Sequence, residues 1–241
     1  MKKLILSGLT ALSLTAALVG VTSAVGPDVA NGSFETGTTS PGASFVQLSA
    51  GDTTITGWTV SAGTIDYVGP YWQAADGVRS LDLSGTGPGA VRQSIATTVG
   101  TTYTVTFRMS GNPVGGAGTK TMTADVGAAA IPFSYEVTAV DPNTLTDMKW
   151  AKKSFSFTAT ATTTVLTFTS TTAGVFGPAL DDVRVAVARG KGANASAKAF
   201  SVCKNDGWKL LHDGQGRAFK NQGDCVSYFA TKFRNGAGVL R

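Results

Sequence analysis

An all-β fold, a sandwich or barrel, is what this sequence predicts, on three observations. Short runs rich in Thr, Val and Ser, with alternating apolar residues, recur about every ten residues through the middle of the chain. Turn residues, glycine foremost in a chain that has 30 of them, separate these runs. No stretch between them carries a 3.6-residue apolar period, which excludes a parallel α/β architecture, since that needs crossover helices.

The elements follow in order. Residues 1–24 read as a secretory signal peptide: Lys2 and Lys3 give a positive start, Leu4 to Val21 is largely apolar, and Thr22-Ser23-Ala24 offers small residues for cleavage. No second apolar run long enough to span a bilayer follows, so no transmembrane anchor is expected. The main domain is placed at 25–187. In it, Asn31-Gly32 turns the chain and sends Phe34 to the core and Glu35 the other way. Phe45 to Leu48, Thr53 to Val60 and Ile65 to Val68 read as strands. Arg79 to Leu83 alternates strictly, with Leu81 and Leu83 inward and Ser80 and Asp82 outward. Val91 to Ile95 and Thr102 to Met109 follow, and then Lys120 to Val126, Ile131 to Val137, Trp150 to Ala159, Thr163 to Ser170 and Pro178 to Val187. About ten short strands in one domain make a sandwich or barrel.

Residues 188–201 turn to Gly, Ala, Lys and Asn and read as a linker. Residues 202–241 form a small module bracketed by Cys203 and Cys225, the chain's two cysteines. In an exported chain these are expected to be bonded, which closes a loop worth about 3 kcal/mol. Zinc is the weaker alternative, because two Cys and the single His212 do not make a four-ligand set.

The net charge of +5 and pI near 9.3 suggest nucleic acid, but the distribution of charge argues against it. Residues 25–188 hold eight Lys and Arg against twelve Asp and Glu, whereas residues 189–241 hold ten against three. The main domain is mildly acidic, and the basic tail suits either anionic surfaces outside the cell or a solvated linker.

The most informative stretch is Trp58 to Gln93. Trp58, Tyr67, Tyr71 and Trp72 fall within it, with Asp66, Asp76, Arg79, Asp82 and Arg92 as nearby polar groups. A flat aromatic ring covers the C–H face of a sugar while carboxylate and guanidinium groups bond its hydroxyls, so this mixture suits a sugar-binding face. The alternative is that the tryptophans plug the core. Trp58, beside Ile55 and Val60, is expected inside. Trp72 and Tyr71 follow the Gly69-Pro70 turn as consecutive aromatics, so at least one should point outward. The expected ligand set is Trp72, Tyr71, Tyr67, Asp66, Arg79 and Asp82.

The segments NGSFE, GWTV, IDYVG, YWQAADGVRSLDLSG, GAVRQS and LDDVRV, between Val29 and Val187, together resemble the bacterial choice-of-anchor C family. That family is itself similar to the plant cell-wall family that carries a domain-of-unknown-function label. The resemblance implies a galactose-binding-like jelly-roll β-sandwich with an extracellular, carbohydrate- or cell-wall-associated role. Members often end in a sorting or transmembrane anchor, a pattern from which this chain departs. Its ending, CKNDGW to FKNQGDCVSYF, instead resembles a short tail module of secreted bacterial proteins, here a small disulfide-closed appendage. Jelly-roll carbohydrate-binding modules commonly hold a structural calcium, and the matching positions here are Glu35, Asp76 and Asp181, with Asp28 and Asp182 as substitutes. A solvated strand end is the alternative for Asp181-Asp182.

Catalysis is not expected. The chain has only two glutamates, Glu35 and Glu136, and one histidine, and it lacks a phosphate loop or dinucleotide fingerprint. The expectation is a secreted, non-catalytic carbohydrate-binding or cell-wall protein whose partner is a polysaccharide or wall glycan. A structural or adhesive protein that binds other proteins is the alternative, and a glycan-active hydrolase is a more distant one.

Overall fold

In the computed structural model, residues 27–127 and 130–188 are described, together with 203–204, 207–209, 211 and 217–234 of the C-terminal segment. The expected signal peptide, most of the expected linker and His212 lie outside the described residues.

The main domain is a jelly-roll β-sandwich of two antiparallel sheets. Among the described residues there are eleven strands: β1 (Phe45–Ser49), β2 (Thr59–Ala62), β3 (Thr64–Val68), β4 (Ser80–Asp82), β5 (Ala90–Ala96), β6 (Thr102–Gly111), β7 (Gly118–Asp125), β8 (Ala130–Val137), β9 (Ala151–Thr158), β10 (Thr163–Ser170) and β11 (Pro178–Val187). The six-stranded sheet runs β1-β3-β4-β11-β6-β9 and the five-stranded sheet β2-β5-β10-β7-β8.

Alternation along the strands builds the core. Ile65 and Tyr67 of β3, Leu81 of β4, Val105, Phe107 and Met109 of β6, and Leu166 and Phe168 of β10 meet between the sheets. Trp58 lies among them at 2% exposure, with its ring centroid 5.3 Å from that of Phe34 and 6.3 Å from that of Phe168. Its indole Nε1–H donates to the Asn31 carbonyl at 3.1 Å, so the ring is buried without an unpaired donor. Asn31 to Phe34 is a turn rather than a strand, with Asn31 at φ 53° and Phe34 at φ 62°. Phe34 is fully buried at its end.

The outer face of the six-stranded sheet is not solvated as an alternating pattern suggests. The loops that follow β3, β6, β8 and β10 fold over it, and a second small core of Val68, Trp72, Met148 and Ala179 forms beneath them. Ser80 and Asp82, expected to face water, are fully buried there. The open end of this cover is where the candidate site lies.

In the C-terminal segment, Cys203 and Cys225 are bonded, with Cα atoms 5.9 Å apart. Phe219 and Phe229 pack against the bond, joined by Trp208, Leu211, Val226 and Tyr228. Cys225 sits in helix α1 (Gln222–Arg234), which the sequence reading did not anticipate. Its start was legible: Asn221 Oδ1 accepts the Asp224 N–H and Asp224 Oδ2 accepts the Lys220 N–H, a capping arrangement three residues apart. Because loop closure by the disulfide contributes about 3 kcal/mol, reduction of the whole protein is expected to make the segment between the cysteines protease-sensitive while the sandwich persists. An unchanged digestion pattern after reduction contradicts this.

Candidate functional site

Three strands and three loops converge at one edge of the outer face. β1 presents Phe45 and Gln47, β3 presents Asp66 and Val68, and β4 presents Asp82, all from alternate positions that point away from the sandwich core. The loop after β3 adds Tyr71 and Trp72. Asn112 and Val114 come from the β6–β7 connection, and Val175 and Phe176 from the β10–β11 connection. Together they enclose a cleft of about 260 Å³.

The rim is apolar and open to solvent. Among the described residues, nine large hydrophobic side chains are exposed, and four of them, Phe45, Val114, Val175 and Phe176, stand around this cleft. Exposed apolar groups gathered in one place, rather than scattered singly, mark a contact surface. Tyr71 meets Phe45 edge to face at 5.8 Å and leans on Trp72 at 6.1 Å.

The floor is polar. Asp66 and Asp82 are direct cross-strand neighbours. Asp82 is fully buried and well held: Asn112 Nδ2 donates to Oδ2 at 2.7 Å, and the Ser84 N–H donates to Oδ1 at 2.9 Å. The Gly177 backbone also bonds it, and a Cβ at Gly177 would come within 2.6 Å of Asp82 Oδ1 and 2.3 Å of Ser84 Oγ, so only glycine lets the loop approach this closely. Asp66 is bonded by the Gln47 side chain, but its buried Oδ1 has no partner within the protein.

Burial pushes the Asp82 carboxyl up to about 7 against the pull of its hydrogen bonds, and the neighbouring Asp66 charge adds to the rise. Burial likewise lifts Asp66 to about 6 and Asp181 to about 7. In the unfolded chain these groups release their protons near the ordinary value of 3.8. Between those limits the folded chain holds more protons at these groups, so the stability they contribute is fully present below about pH 4 and is lost as pH rises through 6 to 7. The melting temperature is therefore expected to be several degrees higher at pH 5 than at pH 8. A melt that rises with pH over that range contradicts these assignments.

Of the six residues expected to bind ligand, Trp72, Tyr71, Asp66 and Asp82 line this cleft, whereas Tyr67 and Arg79 do not. Tyr67 shares its strand face with Ile65 and is fully buried in the core. Its hydroxyl donates to the Phe34 carbonyl at 2.6 Å and accepts from Arg79 Nη1 at 2.6 Å, while the guanidinium lies 5.4 Å from the ring centre. The pair fastens the Asn31–Phe34 turn and cannot touch a ligand in the cleft. Trp72 is also less open than expected, at 4% exposure. Its Nε1–H donates to Ser80 Oγ at 2.7 Å, so the ring is a wall held from behind rather than a free platform. Sequence reasoning missed Phe45, Val114, Val175 and Phe176. The one available signal was Val175-Phe176 set between Gly174 and Gly177, two apolar residues inside a turn that has no periodic face to bury them.

As a calcium site, Glu35, Asp76 and Asp181 do not fit. Calcium takes six to eight oxygens at about 2.3–2.6 Å, but here the carboxylates already receive N–H groups. Glu35 Oε1 accepts the Val78 and Arg79 amides at 2.9 and 2.8 Å. Asp181 Oδ2 accepts those of Ala75 and Asp76 at 2.7 and 3.0 Å, and its Oδ1 accepts that of Asp182 at 2.6 Å. Asp76 Oδ2 faces Arg184 Nη2 at 3.1 Å. Of the substitutes, Asp182 pairs with Arg184 and Arg108, and Asp28 is exposed. No group of three His, Cys, Asp or Glu among the described residues is placed to hold a metal. The acids act instead as a clamp on the loop at 75–79, which sets Tyr71 and Trp72 above the floor. Gly77 belongs to the clamp, at φ +72° with the Glu35 carboxylate 2.4 Å from where a Cβ would lie. Chelation is expected to leave the melting curve unchanged, and a calcium-dependent rise in the melt would overturn the clamp.

The family model described as "Protein of unknown function (DUF642)" matches residues 28–186, which takes in every cleft residue named above and all of the sandwich strands except Val187 at the end of β11. The chain belongs to the DUF642 family. Halomucin of Haloquadratum walsbyi is 34% identical over 175 residues, which cover 70% of this chain and 2% of that protein. Among solved structures, a CBM35 from Paenibacillus barcinonensis is 18% identical with a TM-score of 0.38, covering 59% of this chain and 99% of that one. TmCBM61, solved in complex with beta-1,4-galactotriose, is 19% identical with a TM-score of 0.38, covering 66% and 97%. The CBM22-1 xylan-binding domain of Paenibacillus barcinonensis Xyn10C is 17% identical with a TM-score of 0.37, covering 60% and 94%. At these scores the likenesses assign no ligand to this DUF642 chain.

Proposed function

We propose that this DUF642 domain is a non-catalytic carbohydrate-binding domain that acts outside the cell on a polysaccharide or cell-wall glycan, with the cleft between Phe45 and Phe176 as its sugar site. The observation that carries the reading is the pairing of rim and floor. Exposed rings at Phe45 and Phe176, with the half-buried Tyr71 between them and Trp72, offer apolar faces to the C–H side of a pyranose, and Gln47 and Asp66 offer hydrogen-bonding groups beneath, backed by Asp82 and Asn112. Hydrolysis is disfavoured by the placement of the acids. A glycosidase needs its two carboxyls on opposite sides of the scissile bond, whereas Asp66 and Asp82 rise side by side from one sheet and Asp82 is committed to Asn112, Ser84 and Gly177. The Cys203–Cys225 bond supports an oxidising, extracellular address.

Screening the whole chain on a panel of neutral, amino-bearing and acidic plant and bacterial glycans tests the reading. Saturable binding of at least one glycan, competed by its free oligosaccharide, is expected. Binding of none of the three classes would contradict it.

A further inference from the structure

We infer that the cleft selects sugars that carry a free amine, binding hexosamines in preference to neutral hexoses and rejecting uronic acids; this rests on the reading of the cleft as a sugar site. The charge of the lining is one-sided. Its twelve residues include Asp66 and Asp82 but no Lys, Arg or His. The arginines that could have compensated are committed elsewhere: Arg79 to Tyr67 in the core, and Arg108 and Arg184 to Asp182, with Arg184 also reaching Asp76. Two carboxyls therefore sit as neighbours in a partly enclosed site with only amide groups of Gln47, Asn112 and the backbone for partners.

Asp66 Oδ1 receives no donor from the protein, and although that atom is closed off from water its carboxylate is only half-buried where it lines the cleft. Such an acceptor is costly until something donates to it. A sugar hydroxyl would meet that need for one bond. An ammonium group meets it better, because it carries three donors and no acceptor and brings the charge that two adjacent carboxylates lack. The same charge is attracted to the faces of the aromatic wall. At pH 8, where both carboxyls are ionised, a uronic acid would bring a third carboxylate into a site that already holds two, and repulsion there is poorly screened, so the titrations are run at that pH. At about 260 Å³ the cleft lies below the range of about 300–1,000 Å³ that takes drug-sized ligands, so a single ring carries the selection.

The test is titration of the whole protein with matched sugars: glucosamine and galactosamine, their N-acetyl forms, glucose and galactose, and glucuronate and galacturonate. Single sugars are used so that general attraction between an acidic domain and a polycationic chain does not contribute. The amines are expected to bind about tenfold or more tightly than the neutral and N-acetylated forms, the ratio of a charge-assisted bond to its absence, with the uronates weakest. In Asp66→Asn the ratio of amine to neutral sugar is expected to fall close to one. The wild-type ratio stands by itself should the variant fail to fold. If neutral sugars or uronates bind as tightly as the amines, or the amine preference survives in a folded Asp66→Asn, the selectivity is overturned while the sugar site remains. If no sugar of any class binds, both the selectivity and the sugar site fall.

Discussion

Trp58→Ala is expected to lower the stability of the sandwich by about 3–5 kcal/mol, measured as a shift in the urea midpoint. The indole fills the space between Phe34 and Phe168 and ties the first turn to the core through its bond to the Asn31 carbonyl. Removing it leaves a cavity and takes one of two donors from the Asn31 carbonyl, which keeps the Phe34 N–H at 3.0 Å, and neighbouring rings held by two sheets can close the gap only in part. A domain of this size has about 5–15 kcal/mol in total, so the variant should be close to unfolded at moderate temperature. A loss below about 1 kcal/mol would mean that Trp58 is not the centre of this core.

Phe45→Ala combined with Phe176→Ala is expected to reduce glycan affinity by about tenfold to a hundredfold with little change in the melt. Each ring is more than a third exposed, at 47% and 39%, so little of the fold depends on it. On a bound sugar each would recover the apolar contact it lacks in the free protein, together with about 0.5–1.5 kcal/mol beyond area if stacking on a sugar resembles stacking between aromatic pairs. The contrast with Trp58 separates binding from folding: one change should alter the melt and the other the titration. Unaltered affinity in the double variant would move the sugar site away from this cleft.

Most of the fold was legible, because the strands are short and alternate cleanly. Leu81 and Leu83 set the face of their strand, and Trp58 next to Ile55 and Val60 was read as core. Parity should also have placed Tyr67 inside, since it shares a face with Ile65. The count of aromatics in one stretch outweighed that rule and grouped Tyr67 with rings that point to the other face of the sheet. Other features were out of reach for a physical reason. Ser80 and Asp82 do point away from the core, but only the distant loops around Met148 and Gly177 turn that face into a second interior. The same cover buries Trp72. Glu35, Asp76 and Asp181 were assigned to calcium by resemblance to jelly-roll carbohydrate-binding modules, but whether such acids meet a cation or a row of backbone N–H groups depends on the path of the loop at 75–79, which residue types do not encode. Val175 and Phe176 lie in a loop without periodicity, where exposure follows from tertiary placement alone.

The most direct test of the sugar site uses the tryptophan indoles as reporters in one NMR titration. Trp72 Nε1–H is bonded to Ser80 Oγ behind the cleft wall, and Trp58 Nε1–H is bonded to Asn31 inside the sandwich. Addition of a glycan that binds is expected to shift the Trp72 indole resonance in a saturable way, with the same midpoint as calorimetry, while the Trp58 resonance stays fixed. Saturable binding that leaves Trp72 unmoved, or that shifts Trp150 or Trp208 in its place, would contradict a site between Phe45 and Phe176.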